Sequence, residues 1–432
     1  MKLFLISFLF LSFTKAASAD LRAYLEDTLK YNPEINRAYQ NYLEFSAARY
    51  EAYAEYLPQA DFTYQKFDLE IDNTADNIAD NFDIEQQDLA VTQKIFEVGS
   101  IKKINSALLL RQQKKLEFHQ VIADNFINVV ELALELDSNL KRISFLEANL
   151  KLLNEIKKVS QLKFKNGVES NLDYLQAQTE YLAGQSELLT AQKDVQILRA
   201  EFLELTTKSY LVFEVPNSLT NIADQETFAA ELLENNLELR AVELDKKISK
   251  NSAYIASKDF FPTAELFWNR SKTDGAFSFF NNNDQENTET TYGVQVSLPL
   301  FRSGATISQK VQAKRSYLAA GFTLEQIERD LQQRSVALYE NIRVNKDITA
   351  TRKEQLNFAE QSLTAAKTSY DIGSTDIINL LDAQRAFLEA EFQLVQAANA
   401  EKLDSYNYLY LKGQLLPQYF QIELDSIFGK TY

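Results

Sequence analysis

The sequence predicts a mostly helical protein with a small β part, in which long coiled-coil-like helices and two β-hairpins are laid out twice in tandem. Three observations carry this. The chain of 432 residues has 10 glycines, 6 prolines and no cysteine, so long stretches run without a helix breaker and without disulfide support. Landmark residues recur at a nearly constant offset. Leu57-Pro58 returns 204 residues later as Phe261-Pro262, Ile95-Phe96 with Gly99 returns after 205 as Leu300-Phe301 with Gly304, and Asn166-Gly167 with Ala177-Gln178 returns after 206 as Ile372-Gly373 with Ala383-Gln384. Elements kept in order at a fixed period mark an architecture built by repetition. Finally, apolar residues alternate in short runs and step by three and four in long ones, the periods of strand and helix.

Residues 1–19 read as a secretory signal: Lys2 gives a positive start, Leu3 to Phe13 an apolar run, and Ala17-Ser18-Ala19 a small-x-small site before Asp20. The alternative is a buried N-terminal helix. No later stretch approaches ~20 consecutive apolar residues, so the chain enters a membrane only as a β-barrel or not at all. The first repeat then takes residues 20–227 and the second 228–432.

Each repeat opens on a helical pattern, from Asp20 to about Tyr56 in the first copy, closed by Pro58. Alternation follows, as Phe62 and Tyr64, then Leu89, Val91 and Ile95, which predicts a hairpin over about 60–96 around a polar, acidic connector. Leu266 and Trp268, then Tyr292, Val294, Val296 and Leu298, predict its counterpart over about 263–300. Strands of about ten residues are long enough to cross an outer membrane when tilted.

After Gly99 and Gly304 come runs of about 67 residues, about 100 Å of helix at ~1.5 Å per residue. Leu356, Ala359, Leu363, Ala366 and Tyr370 step by three and four, as do Leu188, Ala191, Val195, Leu198 and Phe202, the seam of a coiled coil. Gly167 and Gly373 turn the chain back into shorter helices. Segments holding Pro216 and Pro417 close the repeats.

Four strands per chain are too few to close a barrel and pair every backbone group, and the long apolar stripes need partners. Several subunits solve both problems, and three is the smallest count giving a wide lumen. A net charge of −16 disfavours nucleic acid as a partner. The single histidine, His119, lacks companions for a metal site, and no catalytic constellation, cofactor motif or phosphate-binding glycine loop stands out.

Leu298-Pro299-Leu300-Phe301-Arg302-Ser303-Gly304, and Tyr370-Asp371-Ile372-Gly373 followed by Leu380-Leu381-Asp382-Ala383-Gln384, with weaker echoes in the first copy, resemble the TolC family of trimeric outer-membrane efflux and secretion channels. The resemblance runs through the whole chain after the signal. It implies a homotrimer with a 12-stranded β-barrel in outer-membrane lipid, continued by a 12-helix tunnel across the periplasm. It implies no cofactor and no catalysis. The duct would be opened by a periplasmic adaptor and an inner-membrane transporter of the RND or ABC type, in efflux or type I secretion.

By the same resemblance, two entrance aspartates map onto Asn379 and Asp382, leaving one acidic ring. Latch positions fall on Asp173 and Tyr370, with Thr375 where relatives carry arginine. The turns Asn166-Gly167-Val168 and Ile372-Gly373-Ser374 match the tips that adaptors grip. Phe62, Tyr64, Phe67 and Trp268, with Phe277, Phe279 and Phe280, suit an interfacial girdle. From the residues alone Asp382 reads as a solvated helix position, and Tyr370 equally as one more seam residue. A non-conducting coiled-coil scaffold is the alternative function, and an enzyme a distant third.

Overall fold

In a computed structural model the described residues are 21–73, 78–168, 170–210, 215–216, 224–275, 285–375 and 377–429. The expected leader, Phe277, Phe279 and Phe280 lie outside them. Helix α1 covers residues 21–31 and is followed by α2 (Pro33–Ala54), β1 (Gln59–Asn73), β2 (Ile78–Phe96), α3 (Ser100–Lys165) and α4 (Asn171–Thr206). Next come α5 (Gln225–Asn235), α6 (Leu237–Ile255), β3 (Thr263–Gly275), β4 (Gln285–Ser297), α7 (Ala305–Asp371), α8 (Ile377–Leu411) and the short α9 (Leu424–Phe428). The two unbroken runs are helices of 66 and 67 residues.

The first helical stretch is two helices rather than one. Asn32 ends α1, and its Oδ1 accepts from the backbone N–H of Glu34 at 2.9 Å and of Ile35 at 3.3 Å. Pro33 then occupies the first position of α2, where its missing N–H costs nothing.

The chain divides into two compact units. One comprises Gln40–Leu116 and Arg240–Gln326 and holds the sheet. Its strands run in the order β1-β2-β3-β4, all antiparallel. The register lines Ala60, Val91, Trp268 and Tyr292 across all four strands, and one step along lines Asp61, Ala90, Asn269 and Thr291. Paired residues share a face, so one face carries the apolar patch of Ala60, Phe62, Val91, Leu266, Trp268, Tyr292 and Val294, with Lys66, Glu85, Arg270 and Lys272 farther along it, and the other is largely polar. The apolar face is open: Phe62 is 67 % exposed, Tyr292 78 % and Val294 59 %. Phe267, on the polar face, packs its ring where a Cβ on Gly293 would stand.

Phe67 does not share the face of Phe62 and Tyr64. It pairs with Ile84, and its offsets from the two, five and three positions, are odd, so it points to the opposite side. Within β1 the aromatic positions therefore switch from one face to the other.

Where strands give way to helices, charges tie the backbone together. Glu55, just past α2, accepts from Lys94 at 2.8 Å and from Lys103 in the first turn of α3. Glu97 accepts from Lys258 and from the Tyr56 hydroxyl, both at 3.3 Å, and Arg302 donates to Asp259 at 2.5 Å. Gly99 has φ +96°, and a Cβ there would press 3.3 Å from the Ile255 backbone.

The other unit comprises Met1–Tyr39, Glu117–Leu239 and Ile327–Tyr432. Its core is the α3 segment with Phe118, Ile122, Phe126, Val129 and Ala133, together with Leu25 and Leu29 of α1, all fully buried. The stripe predicted on α4 is there, with Ala191, Val195, Leu198 and Phe202 inward. The closing segments wrap this core. Tyr24 donates to Ser209 O, Tyr406 to Pro216 O and Tyr39 to Phe428 O, at 2.9–3.1 Å. Phe228 of α5 packs against Tyr339 and Tyr408.

The two lysines hold the Glu55 carboxyl down at about 2, against 4.5 when free. Its contribution to stability is therefore complete above the free value and is lost as pH falls towards 2. Glu55→Gln is expected to unfold at lower temperature at neutral pH and to lose less of its stability on acidification than the parent. Parallel acid profiles for the two proteins would show that the clamp contributes nothing.

Candidate functional site

The two glycine turns are built identically. In the first, the Gly167 N–H donates to Phe164 O at 3.0 Å and the Val168 N–H to Lys163 O at 2.9 Å. In the second, Gly373 donates to Tyr370 O at 3.1 Å and Ser374 to Ser369 O at 2.9 Å. Both glycines have positive φ, +73° and +77°, which completes the Schellman pattern and requires glycine. Asn166 and Ile372 close their helices. Val168 and Ile372 stand 72 % and 74 % exposed, and Leu172 and Ile378 of the following helices are exposed too. Each turn thus carries apolar side chains into solvent.

Behind the turns, four helices share one cluster: Leu153 and Ile156 of α3, Ala177 of α4, Tyr370 of α7, and Ile377, Leu380 and Leu381 of α8. Gly184 is needed here, since a Cβ would meet Leu153 at 3.0 Å. Tyr370, 5 % exposed, ends the seam predicted from its spacing, and Lys163 sits over its ring at 3.9 Å. Asp173 is the third residue of a capping box. The Ser170 hydroxyl and backbone N–H both donate to its carboxylate, at 2.9 and 3.2 Å, and Ser170 Oγ accepts from the Asp173 N–H. Within the single chain the two latch candidates are therefore a helix cap and a seam residue.

Asn379 and Asp382 lie on the outer face of α8, both exposed. Asn379 donates to the Thr375 hydroxyl at 2.8 Å. Asp382 is not alone: Arg385, one turn on, lies 3.5 Å from its Oδ1 and donates to Glu180 of α4 at 2.8 Å. Glu180 holds Arg385 more firmly protonated than usual. The sequence reading missed this triad. Its only signal was the three-residue spacing of Asp382 and Arg385, and Glu180 comes from another helix. Among the described residues no cluster suited to a metal ion occurs, and no helix is long and apolar enough to cross a membrane.

A four-stranded sheet with one open apolar face, joined to paired long helices that end in exposed turns, defines a class: outer-membrane channels of the helical-tunnel type. The chain belongs to the outer membrane efflux protein family, whose pattern matches residues 24–206 and 229–410. It is 22 % identical over 340 residues to the outer membrane protein TolC of Vibrio cholerae, covering 75 % of this chain and 76 % of that one. It is 26 % identical over 200 residues to TolC of Salmonella enteritidis, a match to 40 % of that protein. The crystal structure of the outer membrane protein VceC from Vibrio cholerae superposes with a TM-score of 0.80 at 17 % identity, over 91 % of this chain and 96 % of the other. The resemblance drawn from the turns and junctions is borne out, and the channel reading stands over the scaffold.

The capping box separates two roles of Asp173. Ser170→Ala is expected to cost about 1 kcal/mol and to speed amide exchange in the first turn of α4. If Asp173→Ala merely repeats that fraying, its role is the cap; a latch would add a rise in resting conductance that Ser170→Ala does not produce.

Proposed function

We propose that the protein is the passive exit duct of an efflux or type I secretion assembly, embedded in outer-membrane lipid and working as a homotrimer. The observation that carries this reading is the sheet, whose apolar patch is open while, among the described residues, β1 and β4 have no neighbour on their outer edges. Edges of that kind do not persist in hydrocarbon. Three chains supply twelve strands, a barrel of ordinary size for that membrane. On this reading 20–227 and 228–432 are the two structural repeats, each giving one hairpin and one long helical hairpin.

The exposed residues at the turns, Val168 and Ile372 with Leu172 and Ile378, are the surface for a periplasmic adaptor. Behind the adaptor stands an inner-membrane transporter of the RND or ABC type, which drives transport. Around the threefold axis, Asp382 forms the acidic entrance ring, tempered by Arg385 and backed by Asn379. Three carboxylates brought together favour cations at the mouth.

The purified trimer is expected to conduct ions across a planar bilayer; a protein that reaches the outer membrane yet never conducts would overturn the duct. Asp382→Ala is expected to weaken block by divalent or trivalent cations added on the periplasmic side. Unchanged block would remove Asp382 from the entrance.

A further inference from the structure

The chain is acidic overall, yet two of its helix segments carry positive charge alone. From Ser100 to Leu116, α3 carries Lys102, Lys103, Arg111, Lys114 and Lys115 and no carboxylate; from Ala305 to Leu324, α7 carries Lys310, Lys314 and Arg315 and none either. Neither helix has an acidic residue in its first turn. Lysines near a helix N-terminus oppose its dipole, so helix stability does not account for them.

The fold gathers part of this charge into one groove. Lys102 of α3, Lys247 and Lys250 of α6, and Lys310 and Lys314 of α7 line it together. The spacings put each set on a single helical face: 247, 250 and 254 on α6, and 310, 314 and 317 on α7. Among the described residues none of these five lysines forms an ion pair with a carboxylate. Lys310 instead lies 5.2 Å from the Phe260 ring. Leu108, Leu109, Ala253 and the rings of Tyr254 and Tyr317 give the groove an apolar floor interrupted by Asn105, Gln112, Asn251 and Ser257. All these residues belong to the unit that holds the sheet, and Lys102 is six residues past the end of β2.

We propose that this groove binds the headgroup of an anionic phospholipid in the leaflet nearest the helices. The inference rests on the reading that the sheet lies in a bilayer. Three features select this ligand. Unpaired lysines on three helices converge as a phosphate requires. An apolar floor beneath a cationic rim fits an amphiphile better than a free ion. Lys102 near the start of α3, Lys310 near the start of α7 and Lys250 near the end of α6 adjoin the strand ends in sequence, which on that reading brings them towards the headgroups, where each lysine strengthens binding to anionic lipid.

The test is native mass spectrometry of the intact assembly in detergent. Phosphatidylglycerol and phosphatidylcholine of equal chain length are added, with and without inorganic phosphate. Phosphatidylglycerol is expected to be retained in preference. The triple change Lys247→Gln, Lys250→Gln, Lys314→Gln should cut that retention at least about tenfold. The same three positions as arginine should keep it, and millimolar inorganic phosphate should not displace the lipid. Equal retention of the two lipids, indifference to the glutamine changes, or displacement by inorganic phosphate would each overturn the proposal. Conductance recorded on the same samples separates outcomes: a conducting assembly with no lipid preference loses the groove alone, whereas a silent one loses the duct.

Discussion

An unpaired strand edge cannot sit in hydrocarbon, and this constraint organises the molecule. A backbone N–H or C=O left without a partner there costs several kcal/mol. Among the described residues the four strands leave two such edges, and the apolar part of the sheet stays open. The two long helices are tied to this sheet by the chain itself, since α3 follows β2 and α7 follows β4.

The junction between sheet and helices needs rigidity for that reason. Glu55, Glu97 and Asp259 hold Lys103, Lys258 and Arg302, so that strand ends, helix starts and the preceding turns are fixed to one another. The far end is organised by different means. There the apolar cluster around Ile156, Tyr370 and Leu380 joins four helices, while the charges of Glu180, Arg385 and Asp382 remain at the surface. Exposed pairs of this kind contribute little to stability. They are free to respond to a partner or an ion.

Much of this was legible in the sequence, for reasons that can be named. Gly167 and Gly373 were readable because positive φ admits few other residues. The stripes from Leu188 to Phe202 and from Leu356 to Tyr370 were readable because burial imposes a period. What escaped was whatever depends on register or on distance between elements. Pro33 looked like one more residue of a single helix until Asn32 capped it. Phe67 looked like a neighbour of Tyr64 until its pairing with Ile84 set its face. Arg385 and Glu180, and the convergence of Lys102, Lys250 and Lys314, join helices far apart in the chain, and no local pattern encodes such a meeting.

The twin turns carry a consequence for how the two halves diverge. Their shared geometry is secured by main-chain bonds and one glycine each, with the Ser374 hydroxyl adding a bond to Ser369 O in the second, so most flanking side chains are chemically unconstrained by the turn. Asn166 and Val168 in one copy stand where Ile372 and Ser374 stand in the other, on the same backbone. A duplicated gene can therefore alter the surface chemistry of one tip while the other keeps its own, so that a single chain presents two non-equivalent tips.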